Sequence, residues 1–384
     1  MRICIVYDCL FPCTVGGAER WYRHLAERLA QDGHEVTYYT LKQWEGATPP
    51  DSPAGVRVVA VGSRAPLYTA DGRRRAGPPL LFGLGVLARL LREGGRYDVV
   101  HTCSFPYFPL LAAAAVRPFG RYRVVVDWFE FWSEDYWRDY LGPLGGRVGW
   151  CVQRLCLQAP QHAFVFARLT AGRLKAAGLR WPVSVLGGLY AGPQEPAARR
   201  AAEPVVVSAG RQIPEKRTPA VVHAVAQARR SLPQLRARIL GDGPERPAVL
   251  AAIAEHGLES AIEAPGFVPT SEVQPTIGSA LCLLHPSSRE GYGLVVVEAA
   301  AAGTPVVLAA GTDNAATELV EEGVNGFVAL SASPEDLSGA ILRVHQAGDA
   351  LRASTQAWFV RNAERLSLES SISEVSAVYA GRSG

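Results

Sequence analysis

The chain has 384 residues, of which 48% are hydrophobic and 20% are charged, a composition typical of a folded globular protein of two or three domains that excludes a disordered chain. The 39 basic and 36 acidic residues leave a net charge of only +3, which is too weak a field to indicate nucleic acid as the main partner. No apolar run reaches the roughly 20 residues that a membrane-spanning helix needs.

The first half of the chain alternates short β-branched runs with longer helical patterns. This alternation is typical of a parallel sheet covered by helices on both faces, and it predicts one Rossmann-like domain over residues 1–186. The predicted strands are Ile3–Tyr7, Glu35–Thr40, Val56–Val61, Val99–His101, Val124–Asp127, Ala163–Phe166 and Val183–Leu186. The predicted helices include Ala18–Gln31, Leu80–Arg92, Gly145–Leu157 and Leu169–Ala176.

Residues 187–203 lose this alternation and are rich in Gly, Pro, Ala and Arg, which predicts an exposed interdomain linker. The alternation restarts after it and predicts a second Rossmann-like domain over residues 204–355. Its predicted strands are Val205–Ser208, Ala237–Leu240, Ile262–Ala264, Leu281–His285 and Val306–Leu308, and the final helices are Pro334–Gln346 and Ser354–Tyr379. The expected fold class is α/β, with two doubly wound domains facing across a cleft that binds ligands at the carboxyl ends of the strands.

The seven cysteines include no C-x-x-C pair and no histidines at zinc spacing. This pattern predicts reduced, mostly buried thiols and a cytoplasmic protein. Only three of the 39 basic residues are lysines, a bias that suggests a bacterial genome of high GC content.

The basic run Arg73–Arg75 precedes the apolar stretch 78–91 and suggests peripheral contact with the inner face of an anionic membrane. The alternative is a surface loop that leads into a core helix.

Paired glycines follow the first predicted strand. Gly16 and Gly17 would allow close approach of the backbone to a ligand. The alternative is a tight strand–helix turn that needs glycine for packing alone.

The segment 127–140 is both aromatic and acidic. Its aromatic side chains at helical spacing, Phe129, Trp132, Tyr136 and Tyr140, are typical of a core stripe. Aromatic faces beside carboxylates also hold sugars, so an acceptor site is the second interpretation. The candidate acceptor-binding residues are His101, Asp127, Trp128 and Glu130, although a structural role is the better interpretation of His101 at a strand end.

Two cations follow the first strand of the second half. Arg211 comes after Gly210 and offers a planar bidentate fork, and Lys216 offers a compact charge. Together they would clamp a diphosphate, the alternative being a solvated helix start. Glu215 replaces the glycine that a P-loop has before its lysine, which argues against an NTPase.

The most informative stretch follows the strand that ends at His285. A loop with Gly291, Tyr292 and Gly293 leads into a helix that starts near Leu294, where backbone N–H groups and the helix N-terminus suit a phosphate.

Two carboxylates flank this loop. Glu290 precedes the helix and Glu298 lies in its first two turns, so the pair would face one ligand at different depths. For an isolated pair, a surface charge and a helix-dipole carboxylate would be the better interpretation. Since no D-x-D occurs in the chain, the charge of a bound phosphate is expected to be met by Arg211, Lys216 and the helix dipole, without a metal or cofactor.

These motifs together resemble glycosyltransferase family 4, which consists of retaining enzymes of the GT-B fold that use nucleotide sugars. In the second half, Gly210-Arg211 with Lys216, Gly266-Phe-Val, the Glu290 and Glu298 pair and Gly303-Thr-Pro stand in the family's order. In the first half, the match comprises Gly16-Gly17-Ala-Glu-Arg, Asp98-Val-Val-His and the segment around Asp127.

The resemblance implies a role for each motif. Arg211 and Lys216 would hold the diphosphate, Glu290 the donor sugar and Glu298 the ribose hydroxyls. Phe267 and Val268 would frame the base, and the Gly16-Gly17 loop would approach the phosphates. It also implies that residues 356–384 form a helix that crosses back to the first domain.

One position departs from the family pattern. Many relatives carry a histidine in the loop after the strand Val124–Asp127, where this chain has Phe129. The implied activity is transfer of a sugar to a hydroxyl of a glycan, a lipid-linked sugar or a small molecule. The alternatives are a nucleotide-sugar epimerase or hydrolase on the same scaffold and a non-catalytic protein that binds sugar nucleotides. A nicotinamide dehydrogenase is disfavoured because Gly241 and Gly243 lack the third glycine of the dinucleotide fingerprint.

Overall fold

The computed structural model describes residues 1–46, 48–49, 51–67, 69, 75, 77–195 and 201–381. The described residues up to Gly187 and those from Leu368 onward form one compact unit, and the described residues from Gly188 to Ser367 form a second. Each unit is built on its own parallel sheet. Among the described residues, no helix has both the length and the apolar character needed to cross a membrane.

The first unit contains seven strands, β1 (Arg2–Val6), β2 (Glu35–Thr40), β3 (Val56–Ala60), β4 (Val99–Cys103), β5 (Arg123–Trp128), β6 (His162–Val165) and β7 (Val183–Val185). All pair in parallel in the order β3-β2-β1-β4-β5-β6-β7. The strand order reverses between β1 and β4, which is the point where sheets of this kind bind ligands. The helices between the strands are α1 (Gly17–Gln31), α2 (Gly77–Glu93), α3 (Tyr107–Gly120), α4 (Glu134–Cys156) and α5 (Arg168–Ala176).

The second unit repeats this plan with β8 (Val205–Ala209), β9 (Arg236–Leu240), β10 (Ile262–Gly266), β11 (Cys282–His285), β12 (Arg289–Glu290), β13 (Val306–Ala309), β14 (Asp313–Asn314) and β15 (Gly326–Ala329). The main sheet has the order β10-β9-β8-β11-β13-β15, and β12 pairs separately with β14. The helices are α6 (Pro219–Ala228), α7 (Arg246–Glu255), α8 (Thr270–Ser279) and α9 (Leu294–Ala301).

The alternating pattern predicted the central strands because they are apolar throughout. All five residues of β4 are buried, as are four of five in β8. Three strands were not predicted. Two-residue strands such as β12 carry no periodicity, and β15 begins with Gly326, where a Cβ would lie 2.1 Å from the carbonyl oxygen of Val306.

The seven cysteines are free thiols and five of them are buried, as expected.

The end of the chain differs from its prediction. α10 (Pro334–Leu366) bends at Gly348, and α11 (Leu368–Tyr379) follows after Ser367. Trp358 and Phe359 are buried in the second unit. The return to the first unit therefore begins at Leu368, and the prediction that it begins at residue 356 is wrong.

The predicted linker is also partly wrong. A Cβ at Gly188 would lie 1.9 Å from the backbone of Leu366, and Tyr190 packs its ring on Phe359. Residues 188–190 are therefore anchored on the second unit and are not an exposed linker, while residues 196–200 lie outside the described residues. Of the basic run proposed to touch a membrane, Arg73 and Arg74 lie outside the described residues as well.

Candidate functional site

The loop after β11 carries Glu290, the first of the two carboxylates singled out from the sequence. The Glu290 side chain keeps 16% of its surface exposed and forms an ion pair with Lys216. The same oxygen, Oε2, lies 2.7 Å from Nε2 of His285, the last residue of β11. Ser287 Oγ lies 3.0 Å from that imidazole nitrogen. The structure thus joins a carboxylate, an ammonium and an imidazole at the carboxyl ends of β8 and β11.

Lys216 reaches this point from the segment after β8. It ends a short 3₁₀ helix, Pro214–Lys216, whose backbone is tied to the Glu290 loop by a hydrogen bond of 2.8 Å from Ser288 N–H to the carbonyl of Glu215. Arg211 lies five residues earlier and is exposed. No described residue forms an ion pair or a side-chain hydrogen bond with its guanidinium. The two predicted cations therefore differ in their partners: Lys216 binds the carboxylate of Glu290, and Arg211 has no ion-pair partner among the described residues.

The charges around Glu290 set its protonation. Burial alone would raise its pKa, but the charge of Lys216 and the hydrogen bond from His285 outweigh burial and hold the pKa at about 2. For His285, burial lowers the pKa, the charge of Lys216 lowers it further, and Glu290 opposes both. At neutral pH the cluster therefore consists of a carboxylate, an ammonium and a neutral imidazole.

A second feature of this edge is a close contact between two glycine-containing loops. A Cβ at Gly241 would lie 1.9 Å from the carbonyl oxygen of Gly210, and a Cβ at Gly243 would lie 2.4 Å from that of Gln212. Both glycines have positive φ. They therefore serve turn geometry and close packing, as expected from the incomplete fingerprint.

Gln212 joins these two loops by hydrogen bonds. Its side chain is 1% exposed and donates a hydrogen bond of 2.7 Å to the carbonyl of Gly241, while its backbone N–H donates to Asp242 at 2.8 Å. The sequence prediction did not include Gln212, because a single glutamine has no spacing that marks it.

Helix α9 begins directly after the Glu290 loop. Gly293 precedes it with φ of 95°, and a Cβ there would lie 2.6 Å from Cβ of Ala316, so only glycine fits. Tyr292 is buried, and burial raises its pKa. Glu298 is half-buried on the second turn of the helix. The pKa of Tyr190 is raised mainly by burial and, to a smaller extent, by the negative charge of Glu298. That the two carboxylates face one ligand at different depths stays a prediction.

The remaining predicted donor residues are at the edges of their units. Phe267, directly after β10, is 74% exposed, and Val268 is half-buried. Gly16 precedes α1, where a Cβ would lie 2.4 Å from Oε2 of Glu19, while Gly17 has open space around it. Gly291 and Leu294 are both half-buried beside Tyr292. Their donor-binding roles stay predictions.

Three of the four predicted acceptor residues are corrected by the structure. His101, Asp127 and Trp128 are fully buried in the first unit. Nε2 of His101 lies 2.9 Å from Oδ1 of Asp127, and Trp128 donates its indole N–H to Gln161 at 2.8 Å. Because these groups are enclosed and partnered inside the unit, they do not face an acceptor.

Of this group only Glu130 is partly exposed, and it accepts a hydrogen bond of 2.8 Å from the indole of Trp132. The predicted core stripe is wrong as well, because helix α4 begins only at Glu134 and the four aromatic side chains are half-buried. Phe129 stacks on Phe166 with ring centroids 5.1 Å apart. The neighbouring Phe131 and Trp137 are the buried ones.

His285 is the main functional candidate that sequence reasoning missed. The sequence identified it only as the end of a strand. A histidine at the last position of an otherwise apolar buried strand, five residues before a candidate carboxylate, is the signal that could have found it.

Two family models match consecutive parts of the chain. The model described as Glycosyltransferase Family 4 matches residues 15–188, and the model described as Glycosyl transferases group 1 matches residues 194–362. Together they span most of the sequence. Each match covers one of the two predicted domains.

Similar proteins include the glycogen synthase of Mycobacterium tuberculosis, which is 27% identical over 362 residues, or 88% of this chain and 84% of that protein. The 2-deoxystreptamine glucosyltransferase of Streptomyces kanamyceticus is 38% identical over 103 residues, or 27% of each chain.

Solved structures share the fold over the whole chain. Sucrose-phosphate synthase from Thermosynechococcus elongatus has a TM-score of 0.79 at 19% identity, covering 99% of this chain and 98% of that one. HepE from Anabaena, solved in complex with UDP, has a TM-score of 0.75 at 18% identity, covering 99% and 100%. The expected fold class of two Rossmann-like domains is thereby confirmed.

Proposed function

The chain belongs to family 4 of the GT-B glycosyltransferases, and we propose that it moves the sugar of a nucleotide-diphosphate sugar to an acceptor hydroxyl with retention of configuration and without a metal ion. The observation that carries this proposal is the ion pair of Lys216 and Glu290 at the carboxyl ends of β8 and β11, where open α/β sheets bind ligands. Arg211 follows β8 in the same segment as Lys216 and is exposed.

The cations stabilise the leaving group. As the bond between the anomeric carbon and the diphosphate oxygen breaks, its electron pair stays on the oxygen and negative charge grows there. The guanidinium of Arg211 and the ammonium of Lys216 are positioned before the reaction, so they stabilise this charge without reorganising. Arg211 makes bidentate contacts with phosphate oxygens, and Lys216 acts as a point charge.

Glu290 binds the donor sugar. Since its pKa is held at about 2, it is a carboxylate over the whole working range and accepts hydrogen bonds from sugar hydroxyls. Its negative charge also favours the oxocarbenium-like sugar that forms as the leaving group departs. The acceptor hydroxyl then bonds to the anomeric carbon from the face that the diphosphate leaves, and its proton passes to the leaving oxygen.

The rest of the donor is assigned to the neighbouring segments. The backbone of Gly291 to Leu294 at the start of α9 would meet the phosphates. Glu298 would bind the ribose hydroxyls, and the segment at Phe267 and Val268 would frame the base. These roles are supported by position alone, since all the segments follow carboxyl ends of strands in the second sheet.

The acceptor is proposed only as a class: a hydroxyl of a glycan, a lipid-linked sugar or a small molecule. The similarity to a glycogen synthase and to a 2-deoxystreptamine glucosyltransferase fits the first and the third of these. We retain Glu130 as the one acceptor-side candidate with exposed surface.

A panel of donors tests this function. UDP-glucose, UDP-N-acetylglucosamine and GDP-mannose are added to the protein, and the unfolding temperature is measured against concentration. A true donor raises it progressively, because only the folded state binds the ligand. Turnover is then followed as release of nucleoside diphosphate with and without candidate acceptors, with and without EDTA, and the anomeric configuration of the product is read by NMR.

Each outcome of the panel is informative. Retention in the product and full activity in EDTA support the proposal. If the donor is consumed at the same rate with and without an acceptor, the protein is instead a hydrolase or an epimerase. Tight binding with no turnover would indicate a sensor, and loss of activity in EDTA would refute the metal-free mechanism.

A further inference from the structure

The carboxylate of Glu290 is held through one of its two oxygens. Lys216 Nζ and His285 Nε2 both contact Oε2, the imidazole at 2.7 Å. They approach from different elements, Lys216 from the 3₁₀ helix after β8 and His285 from the end of β11. Two donors from separate elements fix the rotation of the carboxylate more firmly than either donor alone.

The other oxygen is left open. No described residue forms a hydrogen bond or an ion pair with Oε1 of Glu290. The side chain nevertheless keeps 16% of its surface exposed, whereas the His285 side chain keeps only 5%. Glu290 therefore keeps both an exposed fraction and an oxygen that has no partner among the described residues.

We propose that His285 is a positioning residue that fixes Oε2 of Glu290 and thereby presents Oε1 to the hydroxyls of the donor sugar. The inference rests on the proposed function, because it assigns the sugar to Glu290. His285 itself is too deeply buried to touch the donor and acts only through the carboxylate.

The imidazole must be neutral to act in this way. The charged groups that face it are Glu290 and Lys216, and Ser287 Oγ completes its surroundings at 3.0 Å. Since a carboxylate can only accept, Nε2 carries the proton and donates it. A protonated ring would add a second cation beside Lys216 and weaken the charge that Glu290 offers to the sugar. Burial and Lys216 lower the pKa of His285, which keeps it neutral.

Two substitutions separate positioning from packing. His285→Phe keeps a ring in the buried space but removes the N–H donor, and His285→Gln keeps an N–H donor at similar reach. A hydrogen bond to a charged group is strong enough that its loss lowers kcat/KM for UDP-glucose by about 10–100-fold in H285F. Activity should recover to within about fivefold in H285Q, because the amide restores the bond.

The donor and its leaving group respond differently. Glu290 faces the sugar, so the Kd of UDP-glucose should rise in H285F while the Kd of UDP stays within about twofold, a change too small to reflect a lost hydrogen bond. The acid limb of kcat/KM against pH should move upward in H285F, because Glu290 loses one of the contacts that lower its pKa. His345→Gln, an exposed histidine on α10, is the matched control and should change neither quantity.

A spectroscopic readout keeps the test independent of turnover. With ¹⁵N-labelled histidine, the Nε2–H of His285 should give a resonance protected from exchange in the wild-type protein, and Glu290→Gln should shift it. If UDP-glucose neither binds nor reacts, the proposed function fails for this donor while the resonance still decides the placement of His285. Equal loss of UDP and UDP-glucose binding in H285F, no recovery in H285Q, or a resonance indifferent to E290Q would overturn the proposal.

Discussion

Each of the two units contains a histidine on a central strand of its parallel sheet that is paired with a carboxylate. In the first unit, His101 of β4 lies 2.9 Å from Asp127 of β5, and both are completely buried. In the second, His285 of β11 lies 2.7 Å from Glu290, whose side chain is 16% exposed. Both pairs join an imidazole to a carboxylate, but the surroundings differ.

The first pair is enclosed in the interior of its unit. Asp127 uses its second oxygen to accept the indole N–H of Trp21 at 2.7 Å, and the second nitrogen of His101 lies 2.5 Å from the hydroxyl of Tyr379. In the second pair a cation approaches the carboxylate and one oxygen has no described partner. The comparison teaches that exposure distinguishes the two pairs, because both join an imidazole to a carboxylate at hydrogen-bond distance and only the second carboxylate is partly exposed.

The comparison is tested most severely by Asp127→Ala. This change leaves the indole N–H of Trp21 buried without an acceptor, so the free energy of unfolding should fall by about 1–3 kcal/mol. Denaturant unfolding measures this free energy. The D127A protein that remains folded should bind UDP with nearly the same Kd as the wild type. A stable D127A variant with reduced transfer would show that the first pair is functional after all.

Lys216→Ala tests the second pair from the opposite side. Loss of one preorganised donor to the leaving group should lower kcat by about 10²–10³-fold, and Arg211→Ala should do the same. The unfolding temperature should change little in R211A, because Arg211 is exposed, and should fall in K216A, because the buried carboxylate of Glu290 loses its cation. Lys175→Ala removes an exposed lysine of α5 and serves as the matched control with wild-type kcat. Turnover within threefold of wild type in both K216A and R211A would remove these cations from the mechanism.

The parts of the site that sequence predicted are those with local signals. Glycines and charges that follow an apolar strand marked Gly210, Arg211 and Glu290, and the structure brings Lys216 to Glu290 from 74 residues away in the chain. The alternation of apolar runs and helical patterns also indicated most strands of both sheets, because each central strand is buried on both faces.

Long-range partners carried no such signal. Trp21 and Asp127 are 106 residues apart, and His101 and Tyr379 are 278 apart. An acidic residue in an aromatic segment at a strand end therefore suggested an acceptor site, although α1 and α11 enclose it. His285 is a different case, because its partner Glu290 is only five residues away and the spacing was a usable signal.

Tyr379→Phe tests the buried pair of the first unit with a smaller expected loss of stability than Asp127→Ala. The tyrosine hydroxyl lies 2.5 Å from Nδ1 of His101, so the change removes one buried hydrogen bond and keeps the ring. The free energy of unfolding should fall by about 1 kcal/mol, and backbone amides of α11 should exchange faster with solvent. Ser376→Ala is the control on the same helix, because its hydroxyl has no hydrogen-bond partner among the described residues, and it should alter neither measurement. If Y379F lowered kcat for transfer while leaving stability and exchange unchanged, the buried chain from Tyr379 to Trp21 would have to be counted with the site and not with the core.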